Sequence, residues 1–218
     1  MPVTFGRSDI GDVARYADTF SATVAFVTDK DALARLLPPD LAPADEPVVT
    51  VSHKMVRGAE RLAGRGYNIV AVNLASVLEV DSGVLEGPFG AVLWETDVTS
   101  IMNGREYFGV PKLHADIPDL MRNGTDWRFA CAEYDTRLVS GRFQNMVEER
   151  TVRDVSLSSE DDWSESFYFG WKLILNAGNR PDGNVVSPVE LWTMAGEVCG
   201  GVWCVDSRRA ELATGVGP

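Results

Sequence analysis

The stretch from Asn103 to Ile117, NGREYFGVPKLHADI, holds the most chemically suggestive side chains of the sequence. Its lysine, Lys112, follows a proline and has aliphatic and aromatic neighbours, including Phe108 and Val110. Apolar surroundings disfavour a charged ammonium, and the neutral amine can attack a carbonyl carbon. Only four of the 20 basic residues are lysines, so a lysine in this setting suggests an amine function that arginine cannot perform. A surface lysine after a proline turn is the alternative interpretation.

Other polar residues of the same stretch flank Lys112. Glu106 is a candidate acid or base, although it could instead pair with Arg105 and brace the loop. If the segment is extended, His114 lies on the same face as Lys112. There it could shift the charge of the amine, carry a proton near neutral pH, or simply pack.

The rest of the sequence lacks the patterns of other common sites. Zinc needs about four nitrogen or sulfur ligands at short spacings, whereas the cysteines and histidines lie mostly far apart, at Cys131, Cys199, Cys204, His53 and His114. The glycines on either side of Arg65 lack the third glycine of a dinucleotide-binding loop. Glu95 and Asp97 are spaced for one face of a strand, which suits an acid and base pair or a solvated face. The sequence therefore predicts no metal and no cofactor.

Composition describes one soluble domain over residues 1–218, with 45% hydrophobic residues and a net charge of −12. That charge repels phosphate backbones, so nucleic-acid binding is disfavoured. The most apolar stretch, Tyr67 to Leu78, is interrupted by polar residues and is too short for a membrane span. An odd number of cysteines and a charged start to the chain predict a reducing, cytoplasmic location.

The elements that must position Lys112 are mostly strands. Asp31 to Leu37 has helical spacing, with Asp29 or Asp31 as its cap and Pro38 as its end. The runs rich in β-branched and aromatic residues are 47–56, 67–80, 91–102, 127–136, 137–146, 167–176, 185–194 and 201–205. Turn signals separate them, and Asn103 with Gly104 is expected to end the third run. The predicted fold class is mainly β (α+β), an antiparallel barrel or stacked sheets with few short helices.

Several of these segments resemble the acetoacetate decarboxylase superfamily. Gly104, Arg105 and Glu106, followed after a short aromatic stretch by Pro111 and Lys112, resemble its active-site segment. The segments 31–47 and 171–191 are similar to its N-terminal helix with the following strand and to a later hairpin, so the resemblance spans about residues 20 to 205. It implies that Lys112 forms a Schiff base with a keto substrate.

The sequence also departs from that family's pattern. Leu113 stands where the decarboxylase has a second lysine that lowers the pKa of the first. The family's two active-site glutamates fall near Ser52 and near Asn68 or Ile69, and its substrate-binding arginine falls near Thr19. A pocket with neutral groups at these positions suits a hydroxyl or carbonyl, so we expect weak decarboxylation of acetoacetate.

Together these observations predict a lyase that condenses Lys112 with a small oxo-acid, for decarboxylation or for aldol and dehydration chemistry. The alternative is a non-catalytic domain that binds a small molecule on the same fold. The candidate catalytic residues are Lys112, Glu106 and Arg105, and the candidate substrate-binding residues are Tyr67, Asn68 and His114. The expected partner is a keto-acid substrate, without nucleic acid or membrane, in a homo-oligomer, which is usual in the family.

Overall fold

The fold is described from a computed structural model. The structure describes residues 15–81, 83–149, 167–171, 173–174, 185–186, 190–193, 202–204 and 210–214. Its helices are α1 (Lys30–Ala34) and α2 (Val98–Phe108), with a 3-10 turn at Glu60–Leu62. Its strands are β1 (Asp18–Val27), β2 (Ala42–Pro43), β3 (Val48–Arg57), β4 (Tyr67–Val80), β5 (Gly83–Glu95), β6 (Lys112–His114), β7 (Met121–Asn123), β8 (Asp126–Glu133), β9 (Thr136–Phe143), β10 (Val147–Glu149), β11 (Phe167–Gly170), β12 (Leu173–Ile174), β13 (Val185–Val186), β14 (Glu190–Thr193), β15 (Val202–Cys204) and β16 (Ala210–Thr214).

The main sheet has eight strands in the order β1-β3-β4-β5-β11-β14, with β2 beside β4 and β6 beside β5. Its centre is the long antiparallel pair β4 and β5, whose register shifts between Val72 and Asn73. Strand β6 runs parallel to β5 and sets Leu93 opposite Lys112 and Glu95 opposite His114. This short parallel strand brings the lysine of the sequence motif onto the main sheet.

The second sheet has four antiparallel strands in the order β16-β9-β8-β7. Its apolar side chains pack on one face of the main sheet, where Val51 and Val70 meet Trp127, Phe129 and Val139 in one buried cluster. Because side chains alternate along a strand, the next residues of β3, β4 and β5 point to the opposite face. That opposite face, which points away from this buried cluster, carries Lys54, Ile69 and Glu95.

Two helices flank the main sheet, and one of them differs from expectation. The predicted helix at Asp31 to Leu37 forms as α1, which is capped by the Asp29 carboxylate accepting from Ala32 N at 2.7 Å. The third predicted strand, 91–102, is wrong in its second half, because β5 ends at Glu95 and α2 begins at Val98. Asp97 caps α2 by accepting from Ser100 N at 2.9 Å. Asn103 and Gly104 consequently lie inside a helix and not in a turn.

The mainly β fold class with few short helices is confirmed. The described strands form open sheets and not a closed barrel, and β6 and β11 run parallel to β5 within the otherwise antiparallel main sheet. The pattern also missed β1, which pairs along its whole length with β3. Most of the hairpin segment expected at 171–191 lies outside the described residues. In the described part of the chain, no helix is long and apolar enough to cross a membrane.

Candidate active site

Helix α2 and strand β6 together determine the position of Lys112. The helix ends at Gly109, whose φ of 61° is the left-handed conformation that glycine adopts without strain. The chain then reverses through Val110 and Pro111, and Lys112 enters the sheet beside β5. The amine therefore lies in the gap between the helix and the sheet face, and only 12% of the Lys112 side chain is exposed.

Glu95 is the direct partner of that amine. Its Oε2 lies 2.7 Å from Lys112 Nζ, and its side chain is fully buried, with 0% exposure. Neither Oε1 nor Oε2 of Glu95 has a hydrogen-bond partner among the described residues, so its contact with Lys112 is an ion pair without hydrogen-bond geometry. A buried carboxylate without hydrogen bonds is costly unless a cation balances its charge or a ligand binds it. The ion pair of Lys112 and Glu95 is thus the main electrostatic feature of this face of the main sheet.

The helix closes over the lysine through two small residues. Lys112 Nζ donates to the backbone oxygen of Ser100 at 3.3 Å and to its hydroxyl at 3.4 Å. One turn later comes Gly104, where an added Cβ would lie 2.5 Å from both Cδ and Cε of Lys112. Only a residue without a side chain allows α2 to approach the lysine this closely.

Lys54 and Tyr67 extend the site across the sheet. Lys54 of β3 lies opposite Ile69 of β4, and Ile69 lies opposite Glu95 of β5, so all three side chains share one face. Burial, followed by the nearby charge of Lys112, lowers the pKa of Lys54. Burial raises the pKa of Tyr67, with further contributions from Tyr16 and Glu95. The Tyr67 phenol therefore stays protonated at neutral pH.

Asn103 adds an unsatisfied amide to the same helix. It is 2% exposed, and neither Nδ2 nor Oδ1 has a hydrogen-bond partner among the described residues. It lies three residues after Ser100 and next to Gly104, the two positions of α2 that contact Lys112. A buried amide without partners costs about 1–3 kcal/mol, so a polar ligand would relieve it.

A comparison with protein families assigns the chain to one of them. A model described as acetoacetate decarboxylase matches residues 1–204. The chain belongs to the acetoacetate decarboxylase family. Membership indicates an enzyme with lyase-type chemistry, the coarser part of what the sequence predicted. No curated protein matches the chain.

Solved structures of acetoacetate decarboxylase type share the fold. The acetoacetate decarboxylase from Legionella pneumophila subsp. pneumophila str. Philadelphia 1 is 19% identical, with a TM-score of 0.68 over 92% of this chain and 73% of that one. The acetoacetate decarboxylase-like enzyme from Sphingomonas wittichii RW1 is also 19% identical, with a TM-score of 0.67 over 92% and 79%. The enduracididine biosynthesis enzyme MppR, complexed with the condensation product of pyruvate and imidazole 4-carboxaldehyde, is 16% identical, with a TM-score of 0.60 over 90% and 74%.

The other residues of the family motif lie at different positions relative to the amine of Lys112. Arg105 is exposed and donates to the backbone oxygen of Lys112 at 2.9 Å, so it contacts the main chain and not the amine. Glu106 is exposed as well, and the described residues show no ion pair between it and Arg105. His114 is exposed on β6 opposite Glu95. The catalytic and binding roles predicted for these residues remain predictions.

Asn68 is held on the other side of β4. Its amide nitrogen donates to Ile117 O at 2.9 Å and to Asp119 Oδ1 at 2.8 Å, and its oxygen accepts from Arg57 at 3.0 Å. These bonds occupy the side chain away from Lys112. We therefore leave Asn68 out of the proposed site and keep its neighbour Tyr67, which points to the lysine side.

One apolar cavity of about 290 Å³ lies close to the motif but does not contain the lysine. It is lined by Leu36, Leu37, Pro38, Phe89, Ala91, Gly109, Pro111 and Trp171. Within the described ranges, no three His, Cys, Asp or Glu side chains come together as metal ligands would. The chemistry of the site therefore has to be assigned from the polar groups around Lys112.

The sequence analysis missed the importance of Glu95 and Lys54. Glu95 was one of two carboxylates with an open interpretation, and the structure separates them: Glu95 contacts the lysine, while Asp97 caps the helix. The expectation of neutral groups near the amine is therefore incomplete, because a buried carboxylate and a second lysine share its face. The available signals were a charged residue ending an apolar strand and the scarcity of lysines.

Proposed function

We propose that the protein is a Schiff-base-forming lyase that acts on a small oxo-acid through Lys112. The observation that carries this proposal is the contact of 2.7 Å between Lys112 Nζ and the fully buried Glu95 carboxylate. A lysine that forms a Schiff base must first lose a proton, and a carboxylate at this distance can accept it without help from bulk water. Family membership and the shared fold support the same kind of chemistry.

The proton balance of imine formation fits this pair. Glu95 takes a proton from the Lys112 ammonium, and the free amine adds to the keto carbon. After proton transfer to oxygen gives a carbinolamine, the Glu95 acid protonates its hydroxyl, and water leaves as the carbon–nitrogen double bond forms. The cationic iminium then takes the place of the ammonium beside a regenerated carboxylate. The buried charge is therefore the same before and after the step.

The iminium is an electron sink for a bond next to the former keto carbon. Breaking a carbon–carbon bond to a carboxylate releases carbon dioxide from a 3-oxo acid, whereas removal of a proton gives an enamine that can add to an aldehyde. Tyr67, protonated at neutral pH, can donate a hydrogen bond to a substrate oxygen on this face. The neutral side chains at Ser52 and Thr19, where the resemblance expects charged groups, slightly favour aldol and dehydration chemistry.

Chemical trapping tests the proposal directly. The protein is incubated with pyruvate or acetoacetate, treated with borohydride and weighed by intact mass spectrometry, and the expected result is one reduced adduct on Lys112. Lys112→Ala should abolish it, while Lys30→Ala should leave it unchanged because Lys30 is an exposed residue that pairs with Asp45 at 3.4 Å. No adduct with any keto acid would favour the alternative, a non-catalytic binding domain.

The cytoplasmic location, the homo-oligomer and the single domain over residues 1–218 remain predictions from the sequence. Size-exclusion chromatography with light scattering measures the number of subunits.

A further inference from the structure

Lys54 is a second lysine on the face that carries Lys112, and the mechanism above does not use it. It lies in one row with Ile69 and Glu95 across three neighbouring strands. The next row along the sheet contains Ser52, Ala71, Leu93 and Lys112. A long side chain from Lys54 therefore extends over the same surface as the amine of Lys112.

Among the residues that the structure describes, no acidic side chain pairs with Lys54 to balance its charge. Its side chain is partly buried, and within the described residues no carboxylate lies within ion-pair distance of it. The carboxylate of this face, Glu95, is already engaged by Lys112. The charged neighbour that acts on Lys54 is Lys112 itself, which repels it. A partly buried ammonium next to another ammonium is unfavourable unless an anion joins them.

We propose that Lys54 binds the carboxylate of the oxo-acid whose keto group condenses with Lys112. This inference rests on the proposed function and adds a substrate-binding residue to it. The charges of the loaded site then cancel: Lys54 and the iminium are positive, and Glu95 and the substrate carboxylate are negative. Without the substrate carboxylate, the site carries one uncompensated positive charge.

The arrangement also selects for the class of substrate. A neutral ketone or an ester would leave Lys54 unpaired, whereas a free oxo-acid pairs it with a charge-assisted hydrogen bond. The difference in affinity expected from one such bond is about ten- to a hundredfold. The residue thus contributes to specificity in addition to binding.

A comparison of an acid with its ester tests the role of Lys54. Borohydride trapping is measured against concentration for pyruvate and for methyl pyruvate, in the wild type, Lys54→Met and Lys54→Arg. The wild type should prefer the acid, and Lys54→Met should reduce this preference by about tenfold or more. Lys54→Arg should keep most of it. If the substitution changes the proton affinity of Lys112, trapping of the acid and of the ester changes by the same factor. The acid-to-ester ratio of trapping therefore stays the same.

The outcomes separate this proposal from the proposed function. If the wild type traps neither ligand, the Schiff-base function itself fails. If the wild type traps both ligands but Lys54→Met keeps the full preference for the acid, the role of Lys54 is overturned. A wild type that shows no preference for the acid overturns it as well. Lys30→Met is the matched control and should retain the wild-type ratio. Should Lys54→Met not fold, the acid-to-ester ratio of Lys54→Gln answers the same question.

Discussion

The amine of Lys112 and the carboxylate of Glu95 form an ion pair of 2.7 Å between helix α2 and the main sheet. The two residues lie on the adjacent parallel strands β6 and β5, where Lys112 is opposite Leu93, two residues before Glu95. Because Glu95 is fully buried, water screens this contact little. The proposed chemistry of the site begins with this ion pair of Lys112 and Glu95.

Replacing Glu95 tests whether it is the proton acceptor. Glu95→Gln keeps the shape but removes the charge, so we expect the rate of imine trapping with pyruvate to fall about a hundredfold or more. The variant should also be less stable, because Lys112 loses its buried counter-ion. Stopped-time borohydride trapping and urea unfolding measure the two effects.

The control for Glu95→Gln is Asp126→Asn, which breaks the partly exposed pair with Arg142 on the second sheet. It should leave trapping unchanged and alter stability little. Wild-type trapping rates in Glu95→Gln would contradict the proposed proton transfer.

Gly104 controls how closely the helix approaches the lysine. In Gly104→Ala the new Cβ would meet the Lys112 side chain at 2.5 Å, so the lysine side chain must shift from its position beside Glu95. A displacement of about 1 Å in a reacting group costs on the order of a hundredfold in rate. We expect that loss in trapping while circular dichroism still reports a folded protein. Met102→Ala, at an exposed position of the same helix, should trap at the wild-type rate, and an equally active Gly104→Ala would show that the close approach is unimportant.

The burial of Tyr67 leads us to expect a loss of protein stability at alkaline pH. Its pKa in the folded protein is raised above the ordinary value of 10.0, mainly by burial. The unfolded chain therefore releases this proton first, and stability that is complete below about pH 10 declines as the pH rises further. The free energy of unfolding of the wild type should fall more steeply between about pH 10 and 12 than that of Tyr67→Phe, by up to about 1.4 kcal/mol per pH unit. Parallel urea titrations of the two proteins measure this, and identical slopes would contradict the assignment.

Decarboxylation of acetoacetate should be weak. The family positions near Ser52 and Thr19 carry neutral side chains. An ammonium at Lys54 that holds the substrate carboxylate stabilises its negative charge more in the ground state than in the transition state, in which that charge moves to the iminium. We expect turnover at least about a hundredfold below that of a true decarboxylase, equivalent to about 2.7 kcal/mol in the barrier. The measurement is carbon dioxide release at saturating acetoacetate, with the Legionella enzyme as reference. Comparable rates for the two proteins would disprove the expected weak decarboxylation.

Local sequence determined the elements whose signals lie within a few residues. Strand β4 has the predicted bounds, Tyr67 to Val80, because apolar and polar residues alternate along it. Helix α1 forms where Asp29 can cap it and ends before Pro38. At α2 the β-branched run predicts a strand, but Asp97 accepts from Ser100 N and caps a helix there. The cap outweighs the β propensity of the run.

The sequence by itself also determined which lysine to suspect, since Lys112 follows Pro111 in a motif that resembles a known family. Only the tertiary structure decided what surrounds it. Glu95 and Lys54 reach the lysine through the registers of β3, β4, β5 and β6, and a shift of one residue in any pairing would turn a side chain to the other face. Register depends on contacts between residues distant in the chain and on which face is buried, so no local pattern specifies it. The partners of Lys112 are therefore a property of the packed sheet.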